Sequence, residues 1–150
     1  MRVSQLVRAA KRPDPRAQKA QQIRDNVKKV LEKAVPTYNK FFGGDFKAPT
    51  YLKIEKRKGY DWITATLWDQ GHHLNNVGLF VSFIIQVSNG NIQSIIPEIK
   101  YGPNTYAHGK QVRWMSSADA PPQPEELANP KTFFTPNQYP AEKVKITKHD

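Results

Sequence analysis

From Leu79 to Val87 the chain reads LFVSFIIQV, which puts an apolar side chain at every second position: Leu79, Val81, Phe83, Ile85 and Val87. Only a β-strand gathers such residues on one face, because a helix would spread them around its whole circumference. Phe80 and Ile84 make the opposite face partly apolar as well, which predicts a central strand with some cover on both sides. The same period of two holds across much of the middle of the chain. Strands are predicted near 50–57, 61–68, 78–88, 92–100 and 105–114,. Lys58-Gly59 and Asn89-Gly90-Asn91 are turn signals, and an Asn-Gly pair between apolar alternations marks a hairpin,. Connections this short make the sheet antiparallel.

Before residue 49 the period is helical. In DPRAQKAQQIRDNVKKVLEKAV (14–35), Ala20, Ile23, Val27, Val30, Leu31 and Ala34 form one apolar stripe,. Asp14 is positioned as the N-cap and Pro15 as the first helical residue, where its missing N–H costs nothing,. Pro36 disfavours helix at Val35, so the helix is expected to stop or kink there,. The expected fold is α+β. An N-terminal amphipathic helix packs on a curved antiparallel sheet of four to five strands, flanked by an extended N-terminal arm and a proline-rich C-terminal tail. Five successive strands also admit closure into a small OB-like barrel, although the helix that usually joins its third and fourth strands is absent.

The predicted organisation is a basic arm (1–14), a single α+β domain (15–115) and an extended tail (116–150). The tail holds six of the twelve prolines, which favours an extended segment over a second domain,. Leu127, Phe133, Phe134 and Tyr139 are its candidate anchors, on the body or on a neighbouring subunit. There are no cysteines, and hence no disulfides, no thiolate nucleophile and no cysteine-ligated zinc,. No run approaches the ~20 apolar residues needed to cross a bilayer, and no membrane partner is expected,. The expected location is intracellular rather than secreted. The acid-poor amphipathic segment MRVSQLVRAAKR also has the composition of a mitochondrial presequence, which admits the mitochondrial matrix,.

The net charge of +10 is unevenly placed. Residues 1–60 hold sixteen Lys and Arg against five Asp and Glu, whereas the rest of the chain holds seven against eight. A bias of that kind suggests a phosphate-rich partner, with a merely solubilising surface as the alternative. The stretch KIEKRKGYDWITATLW (53–68) sharpens the suggestion. Alternation sets Trp62, Thr64, Thr66 and Trp68 on one face, and Ile63, Ala65 and Leu67 on the other. Cations beside flat rings are what a single-stranded nucleic acid requires: charge along its phosphates and platforms for its bases. The candidate phosphate contacts are Arg8, Lys11, Arg12, Lys28, Lys29, Lys53, Lys56, Arg57 and Lys58, and the candidate stacking residues are Tyr60, Trp62 and Trp68. The competing expectation is that the helix or the tail covers this face, which would make the indoles core residues.

Other motifs carry less. The adjacent His72 and His73 of DQGHHLNN (69–76) point to opposite sides of an extended chain and read as part of a polar hairpin loop rather than as a metal pair,. Glu98 and Lys100, with Asp61 and Asp69 upstream, have the residue types of a metal-dependent nuclease, but the spacing is common,. The sequence is therefore read as a non-catalytic nucleic-acid-binding protein, DNA or RNA, with no cofactor and no metal site. A structural subunit of a large nucleoprotein assembly, held through arm and tail by protein neighbours or by its own copies, is the alternative. A Glu98/Lys100 nuclease is the third reading.

Overall fold

Among the described residues one α-helix lies across one face of an antiparallel sheet, so the change of period near residue 49 becomes a change of layer. The computed structural model describes residues 15–49, 52–74 and 76–140. The proposed N-cap Asp14, the arm residues Arg8, Lys11 and Arg12, and residues 141–150 lie outside them. The fold is α+β. Helix α1 (Pro15–Phe42) is followed by β1 (Phe46–Lys47), β2 (Lys53–Arg57), β3 (Tyr60–Leu74), β4 (Val77–Ser88), β5 (Asn91–Tyr101), β6 (Asn104–His108) and β7 (Val112–Arg113). Strands β3, β4 and β5 form the centre, β1 and β2 share the outer edge of β3, and β6 and β7 share the outer edge of β5. The sheet stays open, which corrects the barrel alternative. Among the described residues no helix is long and apolar enough to cross a membrane.

Register follows from the turns. Asn89 and Gly90 both take positive φ (53° and 76°), giving a two-residue hairpin whose twist suits its strands,. Lys58-Gly59 closes the β2–β3 hairpin with Gly59 at φ 84°,. Pairing then aligns Ile63 with Ile85, Ala65 with Phe83 and Leu67 with Val81, and across the next ladder Val81 with Ile99 and Ile85 with Ile95. These side chains form the core with Val27, Leu31, Ala34, Tyr38 and Phe42 of α1.

The helix does not end at Val35 but runs through Pro36 to Phe42. Proline inside a helix removes the bond to the carbonyl four residues back and costs about 3 kcal/mol. Here Pro36 and Glu32 both lie on the exposed side, so the freed carbonyl can be hydrated. Beyond the proline, Tyr38 and Phe42 are buried, and each such side chain contributes about 1.5–3 kcal/mol,. Tyr38 also donates from its hydroxyl to the Leu127 carbonyl at 2.7 Å. Packing outweighs local preference.

Two other expectations change. Residues 69–74 continue β3 instead of forming a hairpin loop, with an irregularity in pairing between Asp69 and His73. His72 is consequently buried and bonded, not an exposed loop residue. Residues 116–140 carry three short 3-10 turns (Pro124–Ala128, Pro130–Thr132 and Pro136–Gln138). Leu127, Phe133, Phe134 and Tyr139 are all buried in the same core as α1 and the sheet, with Phe83 making edge-on ring contacts to both Phe133 and Phe134. Phe133→Ala should therefore lower unfolding stability by about 3–5 kcal/mol in urea denaturation, as truncation of a core phenylalanine does. A loss below ~1 kcal/mol would mean that the segment is only laid on the surface.

Candidate functional site on the open sheet face

The side of the sheet away from α1 has no cover among the described residues. Register identifies its members. Along β3 they are Tyr60, Trp62, Thr64, Thr66 and Trp68; opposite them on β4 stand Gln86, Ile84, Ser82 and Phe80. On β5 the row continues with Ser94, Ile96, Glu98 and Lys100, and on the outer strands with Lys53, Glu55 and Arg57, and with Thr105, His108 and Arg113. The helix and the 3-10 turns both pack on the aliphatic face of β3, which leaves the indoles outside the core.

Trp68 is 48% exposed and stacks nearly parallel on Phe80, with ring centroids 5.7 Å apart and planes 9° apart. Gly78 makes that posture attainable, because a Cβ there would meet the Trp68 ring at 2.6 Å. Trp62 is half-buried and tilted against Tyr60 at 6.0 Å. Among the described residues, the buried side-chain polar atoms without a hydrogen-bond partner are Trp62 Nε1 and His73 Nδ1. His73 pairs with Gly78, two residues from Phe80, so both atoms belong to this same face. A buried polar atom without a partner is uncommon in folded proteins.

Charge gathers along one border. Lys53 Nζ lies 3.1 Å and Arg57 Nη2 2.8 Å from the Glu55 carboxylate, which stands across from Trp62. The bond and charge of Lys53, and then Arg57, hold Glu55 below the usual carboxylate range. Lys56 and Lys58 are exposed at the same hairpin end. Lys28 and Lys29 are not part of this group: they ride on α1, with the sheet between them and the indoles. The structure thus joins Lys53, Arg57, Tyr60, Trp62 and Trp68 on one face and has Lys58 in the turn at its end, but it separates the helix lysines and also Lys56, which pairs with Asp61 and so falls in the phase of the opposite side.

The carboxylates upstream of Glu98 have other engagements. Asp61 and Asp69 fall in phase with Ile63 and Leu67, on the core side of β3 and across the sheet from Glu98 and Lys100. Asp61 pairs with Arg16 at 3.0 Å, and Arg16 also donates to the carbonyls of Arg57 and Tyr60 at 2.7 Å each, tying the start of α1 to the β2–β3 hairpin. Asp69 accepts from the backbone N–H of Asp45 and Gly71, from His72 Nδ1 at 3.0 Å and from the Tyr139 hydroxyl at 2.5 Å. Glu98 accepts instead from Thr105 at 2.7 Å. No group of three or more potential metal ligands is found among the described residues. No known family, curated protein or solved structure matches this chain.

Burial, then the bond and charge of Asp69, push the Tyr139 phenol far above its ordinary pKa of 10.0, and burial does the same to Tyr38. A folded pKa above the unfolded one gives stability that is complete below about pH 10 and is lost as the pH rises beyond it. The slope is about 1.4 kcal/mol per pH unit for each such tyrosine. Tyr139→Phe should lower stability at neutral pH by about 1.5–3 kcal/mol, the usual worth of a hydrogen bond to a charged group, and should also flatten the alkaline decline. Urea midpoints measured from pH 7 to about pH 11.5 test both parts, since a merely exposed phenol would leave the slope unchanged.

Proposed function

We propose that this protein binds single-stranded nucleic acid, without catalysis, on the open sheet face. One observation carries the reading: two tryptophans and a stacked phenylalanine stand outside the core on a face bordered by Lys53, Arg57 and the turn residue Lys58. A base stacked on such a ring contributes roughly 1–3 kcal/mol, and each phosphate neutralised by a nearby cation adds salt-dependent affinity. Trp68 is the principal platform because it is the most open of the rings and already held flat. Trp62, with Tyr60 beside it, is the second. Lys53 and Arg57 meet the phosphate track once Glu55 shares them. Lys28 and Lys29 lie too far around the molecule to serve the same strand segment, and they belong to the general field rather than to the contact.

Fluorescence titration with an oligonucleotide at two salt concentrations tests the reading. Trp68→Ala should weaken binding by about 1–3 kcal/mol. Glu55→Gln should strengthen it and steepen its salt dependence, because a carboxylate that competes with phosphate for two cations is removed. Affinity indifferent to salt, or unchanged by both substitutions, would refute it.

The second reading is a structural subunit of a nucleoprotein assembly, and the observation favouring it is the apolar centre of the same face, where Ile84 and Ile96 stand side by side and half-buried. A protein neighbour would cover them. A stoichiometric complex from the native source that survives nuclease digestion would favour that reading over the first.

A further inference from the structure

Between its two aromatic ends the open face carries a patch of hydroxyls. Thr64 and Thr66 lie between Trp62 and Trp68 on β3, and Ser82 stands directly across from Thr66 on β4. Threonine is common in strands for its shape alone. What sets this patch apart is that the three hydroxyls make no side-chain hydrogen bond among the described residues, although Thr66 and Ser82 are cross-strand partners; the neighbouring Ser94, by contrast, donates to Gln86 at 3.4 Å. Trp62 and Trp68 are six residues apart, roughly 20 Å along an extended strand. A single strand with bases on both rings would therefore lay its sugars across Thr64 and Thr66.

Resting on the nucleic-acid reading above, we infer that this face selects RNA over DNA by matching the ribose 2′-hydroxyl to Thr64 and Thr66, the partly exposed members of the patch, with the buried Ser82 lying beneath them. Each of these groups both donates and accepts, as does the 2′-hydroxyl, so they can pair in either sense. A deoxyribose in the same place would take water from the threonine hydroxyls and return no partner, and sites built around a hydroxyl discriminate against ligands that lack it for this reason. Each contact to these half-buried threonines is expected to contribute about two- to tenfold to the preference,.

The test compares fluorescein-labelled oligouridylate with oligodeoxyuridylate of equal length, about twelve nucleotides, which differ only at the 2′ position. The expected result is tighter binding of the ribose oligomer by the native protein. Thr64→Val/Thr66→Val, which keeps side-chain shape and strand preference, should abolish that preference and leave deoxyribose affinity within about twofold. Equal affinity for the two oligomers, or a preference that survives the double substitution, overturns the inference while leaving salt-dependent nucleic-acid binding intact. Failure to bind either oligomer overturns this inference and the functional reading together.

Discussion

Burying the odd-numbered side of β3 and β4 requires a second layer, and the described chain supplies material for one such layer. Helix α1 covers part of that side, and the segment from Pro124 to Tyr139 fills the remainder with Leu127, Phe133, Phe134 and Tyr139. Nothing of comparable size is left for the other side among the described residues. A strand whose alternate residues are Ile63, Ala65 and Leu67 can satisfy only one phase, so the indoles and threonines of the other phase must face outward,. Among the described residues the open face is thus a consequence of there being one covering layer, and its chemistry is whatever the second phase of each strand provides.

The phase is secured by two buried carboxylates as much as by aliphatic packing. Asp61 and Asp69 sit on the core side, each 1% exposed, at either end of the aliphatic run of β3. A buried charge is tolerated only where donors surround it. Asp61 has Arg16, which reaches across from the first turn of α1; Asp69 has two backbone N–H groups, His72 and Tyr139. Slipping β3 by one residue would remove both carboxylates from their donors and bring Trp62 and Trp68 inward. Each pairing also joins elements distant in sequence: the helix start to a hairpin, and the C-terminal segment to the bulge of the long strand.

Much of this was legible without coordinates. The change of hydrophobic period locates the helix and the sheet, and the Asn89-Gly90 pair sets the register of the β4–β5 hairpin. Strict alternation in WITATLW separates core from surface correctly. The same alternation, extended one step each way, puts Asp61 and Asp69 in the core phase and thereby asks for buried partners, a signal that reading them as companions of Glu98 and Lys100 overlooks. Their partners were not legible: Arg16 and Tyr139 are 45 and 70 residues away from the groups they satisfy. Nor was the passage of α1 through Pro36, because its compensation comes from tertiary burial of Tyr38 and Phe42. The C-terminal anchors Leu127, Phe133, Phe134 and Tyr139 were legible, but the 3-10 turns that carry them were not, since proline-rich composition describes backbone stiffness rather than where the chain turns.

The separation of the cations bears on how such a face would work. If Lys28, Lys29 and the hairpin cations all bordered the indoles, contact charge alone could hold a polyanion. With the helix lysines on the far side, the local balance is modest: Lys53 and Arg57 share Glu55, and Lys100 shares its strand with Glu98. Rings and hydroxyls then have to supply most of the contact free energy. Distant cations act instead through the summed field, which raises encounter rates with an anionic chain and is screened over about a Debye length, roughly 8–10 Å at physiological salt. A surface of this kind should show salt dependence mainly in association, and dependence on Trp68 mainly in dissociation, because stacking is lost only when the complex comes apart. On the proposed reading, charge would bring the strand and the aromatic face would keep it.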